Sequence, residues 1–141
     1  MKFIQHLALA GSLVSYVLAQ SIRIGSPANG TVVQPGSTLT VQIQQPSSLS
    51  NEIEVAVVIG FLNCPSPDPC PAPLDRIGTV LYNGPYHPVA SPPGLPYQNI
   101  SVTIPDSASS GDAQLNVVHF DLIGALPLPR TEARAATLVV N

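Results

Sequence analysis

The sequence predicts an all-β domain, an immunoglobulin/fibronectin-like β-sandwich of about seven strands. Three observations carry this expectation. Apolar and often β-branched residues alternate with polar ones at a period of two, in short runs. Pro, Gly, Asn and Ser separate the runs, as turns require. No segment shows a helical period.

Taken in order, Ile22 and Ile24 alternate with Ser21 and Arg23. Ser26-Pro27-Ala28-Asn29-Gly30-Thr31-Val32, followed by Gln34-Pro35-Gly36-Ser37, reads as a first edge strand and turn. Pro27 and Pro35 suit an edge, where a missing amide donor does no harm. Leu39, Val41 and Ile43 alternate with Thr40, Gln42 and Gln44. Ile53, Val55, Val57, Ile59 and Phe61 form the longest apolar face, with Glu52 and Glu54 opening the opposite one. Thr79 to Asn83 gives a weaker strand. Ile100, Val102 and Ile104 give another, and Ala136, Leu138 and Val140 close the chain.

Ala113 to Ile123 breaks the alternation. Leu115 and Val117 have one parity, whereas Val118, Phe120 and Leu122 have the other. A β-bulge near Val117-Val118 would turn all five toward the core, and is the preferred reading. The alternative is a central strand buried on both faces. The lone Cys pair and the absence of Trp exclude a true antibody-type domain.

Residues 1–19 read as a secretory signal peptide: Lys2, then an apolar stretch from Phe3 to Leu18, then small residues at Val17 and Ala19. Residues 20–141 then form a single β-sandwich domain, secreted and extracellular. Gln20, as the new N-terminus, would cyclise. No later apolar run is long enough for a membrane span. The final Thr137-Leu138-Val139-Val140-Asn141 is one strand's worth, not a lipid-anchor signal.

Charge is sparse. The formal net charge is −3, and beyond the leader the only cations are Arg23, Arg76, Arg130 and Arg134, apart from any protonated histidine. Nothing forms the basic patch that nucleic acid needs. Asn29-Gly30-Thr31 and Asn99-Ile100-Ser101 are N-glycosylation sequons, which would help so uncharged a domain stay soluble. Cys64 and Cys70 are expected to form a disulfide in an oxidising compartment. The loop they close is short, so the bond shapes a loop more than it holds the domain.

Sites of chemistry are few. His119 and Asp121 stand two apart on one strand and share a face, which reads first as a structural or surface pair. No Gly-x-Ser-x-Gly elbow or phosphate loop occurs. No metal site and no cofactor are expected, and the chain does not read as an enzyme. Ten of the sixteen prolines lie between Pro65 and Pro96, in two stiff loops at Cys64 to Asp75 and Pro85 to Pro96. Tyr82, Tyr86 and Tyr97 flank the second loop. With His87 they are the candidate binding patch, since Tyr is a low-entropy contact residue.

Several blocks, in order along residues 21–120, resemble the fungal necrosis-inducing secreted effector family. They are Ser21-Ile22-Arg23-Ile24-Gly25-Ser26-Pro27 and Glu54-Val55-Ala56-Val57-Val58-Ile59-Gly60. Gly78-Thr79-Val80-Leu81-Tyr82-Asn83-Gly84-Pro85-Tyr86 and Tyr97-Gln98-Asn99-Ile100-Ser101-Val102-Thr103-Ile104-Pro105 follow. Gln114-Leu115-Asn116-Val117-Val118-His119-Phe120 is the last. Leu126 to Arg134 matches least. The resemblance implies a small non-enzymatic secreted protein, with a host apoplast or host cell as its place of action; a monomer is expected. It would act by protein–protein binding, inducing plant cell death or suppressing pattern-triggered immunity through receptor-associated kinases. The alternative is a cell-wall or carbohydrate-binding module without catalysis, against which the absence of Trp counts.

Overall fold

A computed structural model describes residues 21–47, 50–64 and 68–141. The expected signal peptide lies outside the described residues. Among them the chain is all-β: eight strands in two sheets, with no helix. The strands are β1 (Arg23–Ser26), β2 (Thr31–Val33), β3 (Thr38–Gln44), β4 (Glu52–Asn63), β5 (Thr79–Gly84), β6 (Tyr97–Thr103), β7 (Gly111–Ile123) and β8 (Leu128–Val140). One sheet has the order β1-β3-β6, the other β2-β8-β7-β4-β5. Every pairing is antiparallel except β2 on β8. No helix among the described residues is long and apolar enough to cross a membrane.

The period-two residues do what their spacing demands. Val41, Ile43, Ile100 and Val102 of the smaller sheet meet Val57, Ile59, Phe61, Leu115, Val117, Ala136 and Leu138 of the larger in one buried cluster. Burial of these side chains is the main stabilising term, at about 1.5–3 kcal/mol for each large one.

Two sequence expectations are corrected. The register of β7 on β8 runs unbroken from Gly111 to Ile123, so there is no bulge at Val117-Val118. Instead, β7 is buried on both faces from Ala113 to His119. The loop after β4 covers its outer side. Gln114 Nε2 donates to Pro71 O at 3.2 Å, and Asn116 Nδ2 donates to Arg76 O and Ile77 O at 3.2 Å each. That loop lies so close to β4 that a Cβ on Gly60 would stand 2.2 Å from Ile77 O. The Cys64–Cys70 disulfide, with Cα atoms 5.1 Å apart, ties its start to the end of β4.

The second correction concerns β4. Glu54 pairs with Asp121 and Ala56 with Phe120, so Val55 is an extra residue between consecutive partners. The bulge reverses the facing of everything before it. Val57, Ile59 and Phe61 point inward as expected, but so do Glu52 and Glu54. Ile53 and Val55 turn outward and are 52% and 50% exposed. Sequence also placed too little of β8 in the sheet. Its first half, Leu128 to Arg134, is strand in spite of its charges.

Candidate functional site

The bulge at Val55 assembles a polar cluster at one end of the core. Glu52 and Glu54 come from β4, His119 and Asp121 from β7, Arg130 and Glu132 from β8. The register explains the grouping. Glu54 is opposite Asp121, which is opposite Arg130, and Val57 is opposite His119, which is opposite Glu132. Half of the chain's eight acidic residues meet here.

His119 is fully buried. Its Nε2 makes a very short contact with Glu54 Oε2. Its Nδ1 lies 3.5 Å from Glu132 Oε2, an ion-pair distance, but makes no hydrogen bond. Burial opposes a charge on the ring. The flanking carboxylates of Glu132 and Glu54 outweigh it and push the pKa up to about 9, so the ring is an imidazolium at neutral pH. Glu132 shows the reverse balance. Burial would raise its pKa, but His119 and the Ile22 amide, 3.2 Å from Oε2, hold it below the usual range.

Arg130 grips the other two acids. Its Nε donates to both oxygens of Asp121, at 3.0 and 3.1 Å, and its Nη2 reaches Asp121 and Glu52. Burial works against ionised Asp121, yet Arg130 holds its carboxyl below the usual range. Glu52 is the group that gives way. Burial first, then the adjacent Asp121 and Glu54 carboxylates, push its pKa up to about 7 in spite of Arg130. Gln45 Nε2 also donates to Glu52 Oε1, at 2.7 Å.

His119 and Asp121 thus share a face, as their spacing implies, but the face is inward and both are held by charged partners. No group of His, Cys, Asp and Glu among the described residues is arranged to hold a metal ion. Sequence reasoning missed Glu52, Glu54, Arg130 and Glu132. The signal that could have found them is the alternation of Arg130, Glu132 and Arg134 with Thr131 and Ala133, a period-two charge pattern leading into the inward Ala136 and Leu138.

The four residues of the candidate binding patch do not stand together on the surface. Tyr86 is fully buried. Its hydroxyl donates to Ile43 O at 3.1 Å, and its ring meets His119 edge-on at 5.2 Å between centroids. Tyr82 on β5 is half-buried against the core, with its hydroxyl on Pro85 O at 2.9 Å. His87 and Tyr97 lie on neighbouring stretches of chain. The exposed His87 donates its backbone amide to Gln98 Oε1 at 2.6 Å, and Tyr97 exchanges backbone bonds with Val89. Asn29 and Asn99 are both exposed, and Asn29 Oδ1 accepts the Thr137 amide at 3.0 Å.

An exposed apolar row lies elsewhere, on the outer face of the larger sheet. Ile53 stands across from Leu122, and the exposed Phe120 is one outward position further along β7, beside Ala56 and the bulged Val55.

A family model described as the Nis1 family matches residues 17–138. No curated protein matches the chain at a significant level.

Proposed function

Because the chain belongs to the Nis1 family, we propose that it is a secreted, effector-like protein that acts by binding other proteins. In a plant host it would damp pattern-triggered immunity or provoke cell death, with receptor-associated kinases as the partners. The observation that carries a binding role is the outward row Ile53, Val55, Phe120 and Leu122. Exposed apolar side chains grouped on one sheet face mark protein contact surfaces. The buried cluster supports the reading from the other side. Its ionisable groups are engaged with one another and not turned toward a cleft, as a structural role requires.

The two sheets are read as an immunoglobulin/fibronectin-like sandwich. Supporting this are the strand order, the single parallel pairing of β2 on β8 at an edge, and the core shared by both sheets. The Cys64–Cys70 bond is compatible with secretion. Exposure of Asn29 and Asn99 is compatible with glycans on both.

The test applies the secreted protein to leaf tissue and records the oxidative burst raised by a microbial elicitor. Dose-dependent damping is expected, and an Ile53→Glu/Phe120→Glu variant with an unchanged melting curve should lose it. An unchanged burst with the native protein, together with retention on chitin or glucan, would replace this reading by a wall-binding module.

A further inference from the structure

The long strand β8 is only partly covered on its second side. β7 pairs with it throughout, but β2 reaches only Leu138 to Val140. Thr137 shows which backbone groups face that side. Its oxygen accepts the Gly30 amide at 2.9 Å, and its amide donates to Asn29 Oδ1 at 3.0 Å. The register on β7 has no break, so Ala135, Ala133 and Thr131 turn their backbone groups the same way. Ala135 lines a groove of about 440 Å³ between β1 and β8, and Ala133 and Thr131 continue the same edge beyond it.

Two of the four arginines beyond the leader, Arg23 and Arg134, line this groove. Neither is in an ion pair among the described residues. Arg134 instead turns back along the open edge, and its Nη1 donates to Ala133 O at 2.7 Å. Pro129, further along, has no amide to offer. The edge is therefore guarded at both ends and in the middle, while Ala135 and Thr131 stay open. On a protein of net negative charge, this groove is locally positive.

We propose that the groove takes an extended acidic peptide segment of a partner protein, added as a strand to the free edge of β8. Backbone bonds to Ala135, Ala133 and Thr131 would hold the segment in line with β2. Its carboxylates would meet Arg23 and draw Arg134 off Ala133 O, which frees that carbonyl for the incoming strand. This deepens the binding reading above and rests on it. The apolar outer face and the groove lie on different sides of β8 and would be separate contacts.

The test titrates the secreted protein with a labelled, capped peptide of alternating Glu and Val, alongside its Lys-Val counterpart. Binding of the Glu peptide is expected, weakened by salt, with slowed hydrogen exchange at the Ala133 and Ala135 amides. Arg23→Glu with Arg134→Glu should reduce affinity for the Glu peptide about tenfold or more and favour the Lys peptide. Arg76→Glu, outside the groove, should change nothing. Peptide methylated on alternate backbone nitrogens should fail to bind. Equal binding of Glu and Lys peptides, equal binding of the methylated peptide, or unprotected Ala133 and Ala135 amides in the wild type would each overturn the proposal. So would a peptide-free dimer with those amides already protected, which would assign the edge to a second copy. A damped leaf burst without peptide binding would sink the groove and leave the binding reading standing.

Discussion

His119 is held by what surrounds it more than by its own strand. The ring is fully buried between Glu54 and Glu132 and touched edge-on by Tyr86. Removing it takes the imidazolium from between Glu54 and Glu132 and leaves Glu132 with Arg130 Nη1, 3.5 Å from Oε1, as its remaining cation. Breaking a buried ion pair from one side costs about 3 kcal/mol or more. His119→Ala should therefore unfold in urea with a loss of about that size, and a loss under about 1 kcal/mol would show that solvent already screens the site. The sequence made part of this readable. The shared face of His119 and Asp121 follows from their spacing alone. Tyr86 was not readable, because its Pro-rich neighbours look like an exposed loop. It is buried by packing in the core beside His119, with its hydroxyl bonded to Ile43 O, long-range contacts invisible in local pattern.

Strands were legible where one face is apolar and the other polar, as in β3 and β6. They were misread where long-range packing overrides alternation. β7 carries apolar and amide side chains on both faces because the loop after Cys64 covers it, and Gln114 and Asn116 are the polar residues that tie that loop down. β4 was misread at one position. Deleting Val55 would remove the bulge yet leave Glu52 and Glu54 on the inward side, since Glu54 and Ala56 already sit opposite adjacent β7 residues. We expect this deletion to fold, with a stability change below about 1 kcal/mol and an unchanged His119 titration by NMR. A deletion that unfolds the protein would mean that the bulge itself fixes the cluster. The disulfide also acts at this scale. Cys64→Ser with Cys70→Ser should cost about 2 kcal/mol from loop entropy and leave both sheets intact. Loss of the β-sheet circular dichroism signal at room temperature would show the bond holding more than its loop.

For the whole molecule, the cluster sets a pH dependence with a definite sign. Glu52 has a raised pKa, so its stabilising contribution is full in acid and is lost as pH rises toward and through about 7. His119 is raised too, so its contribution is full below its ordinary value and is lost as pH climbs through about 9. Asp121 and Glu132 are lowered, and their contributions vanish in strong acid as they protonate. Stability should peak in mild acid and fall by on the order of 2 kcal/mol from about pH 5 to about pH 9. Thermal melts across that range test it, and Glu52→Gln should flatten the limb below neutrality. A flat profile in the native protein would mean that the carboxylates are hydrated in solution. The all-β class and the core were readable from period two, since hydrophobic burial follows pattern. The charge cluster was not, because it depends on which of two phases a strand occupies, and whether Val55 is paired or bulged decides that phase. Its consequence is a question of parity. Leaving one residue unpaired turns acids to the interior and aliphatics to the exterior in the same move, so the pH-sensitive heart of the molecule and its exposed apolar row share a single origin. In β4, register governs what composition alone would leave undecided, and a lineage could exchange both properties together by a shift of pairing rather than of chemistry.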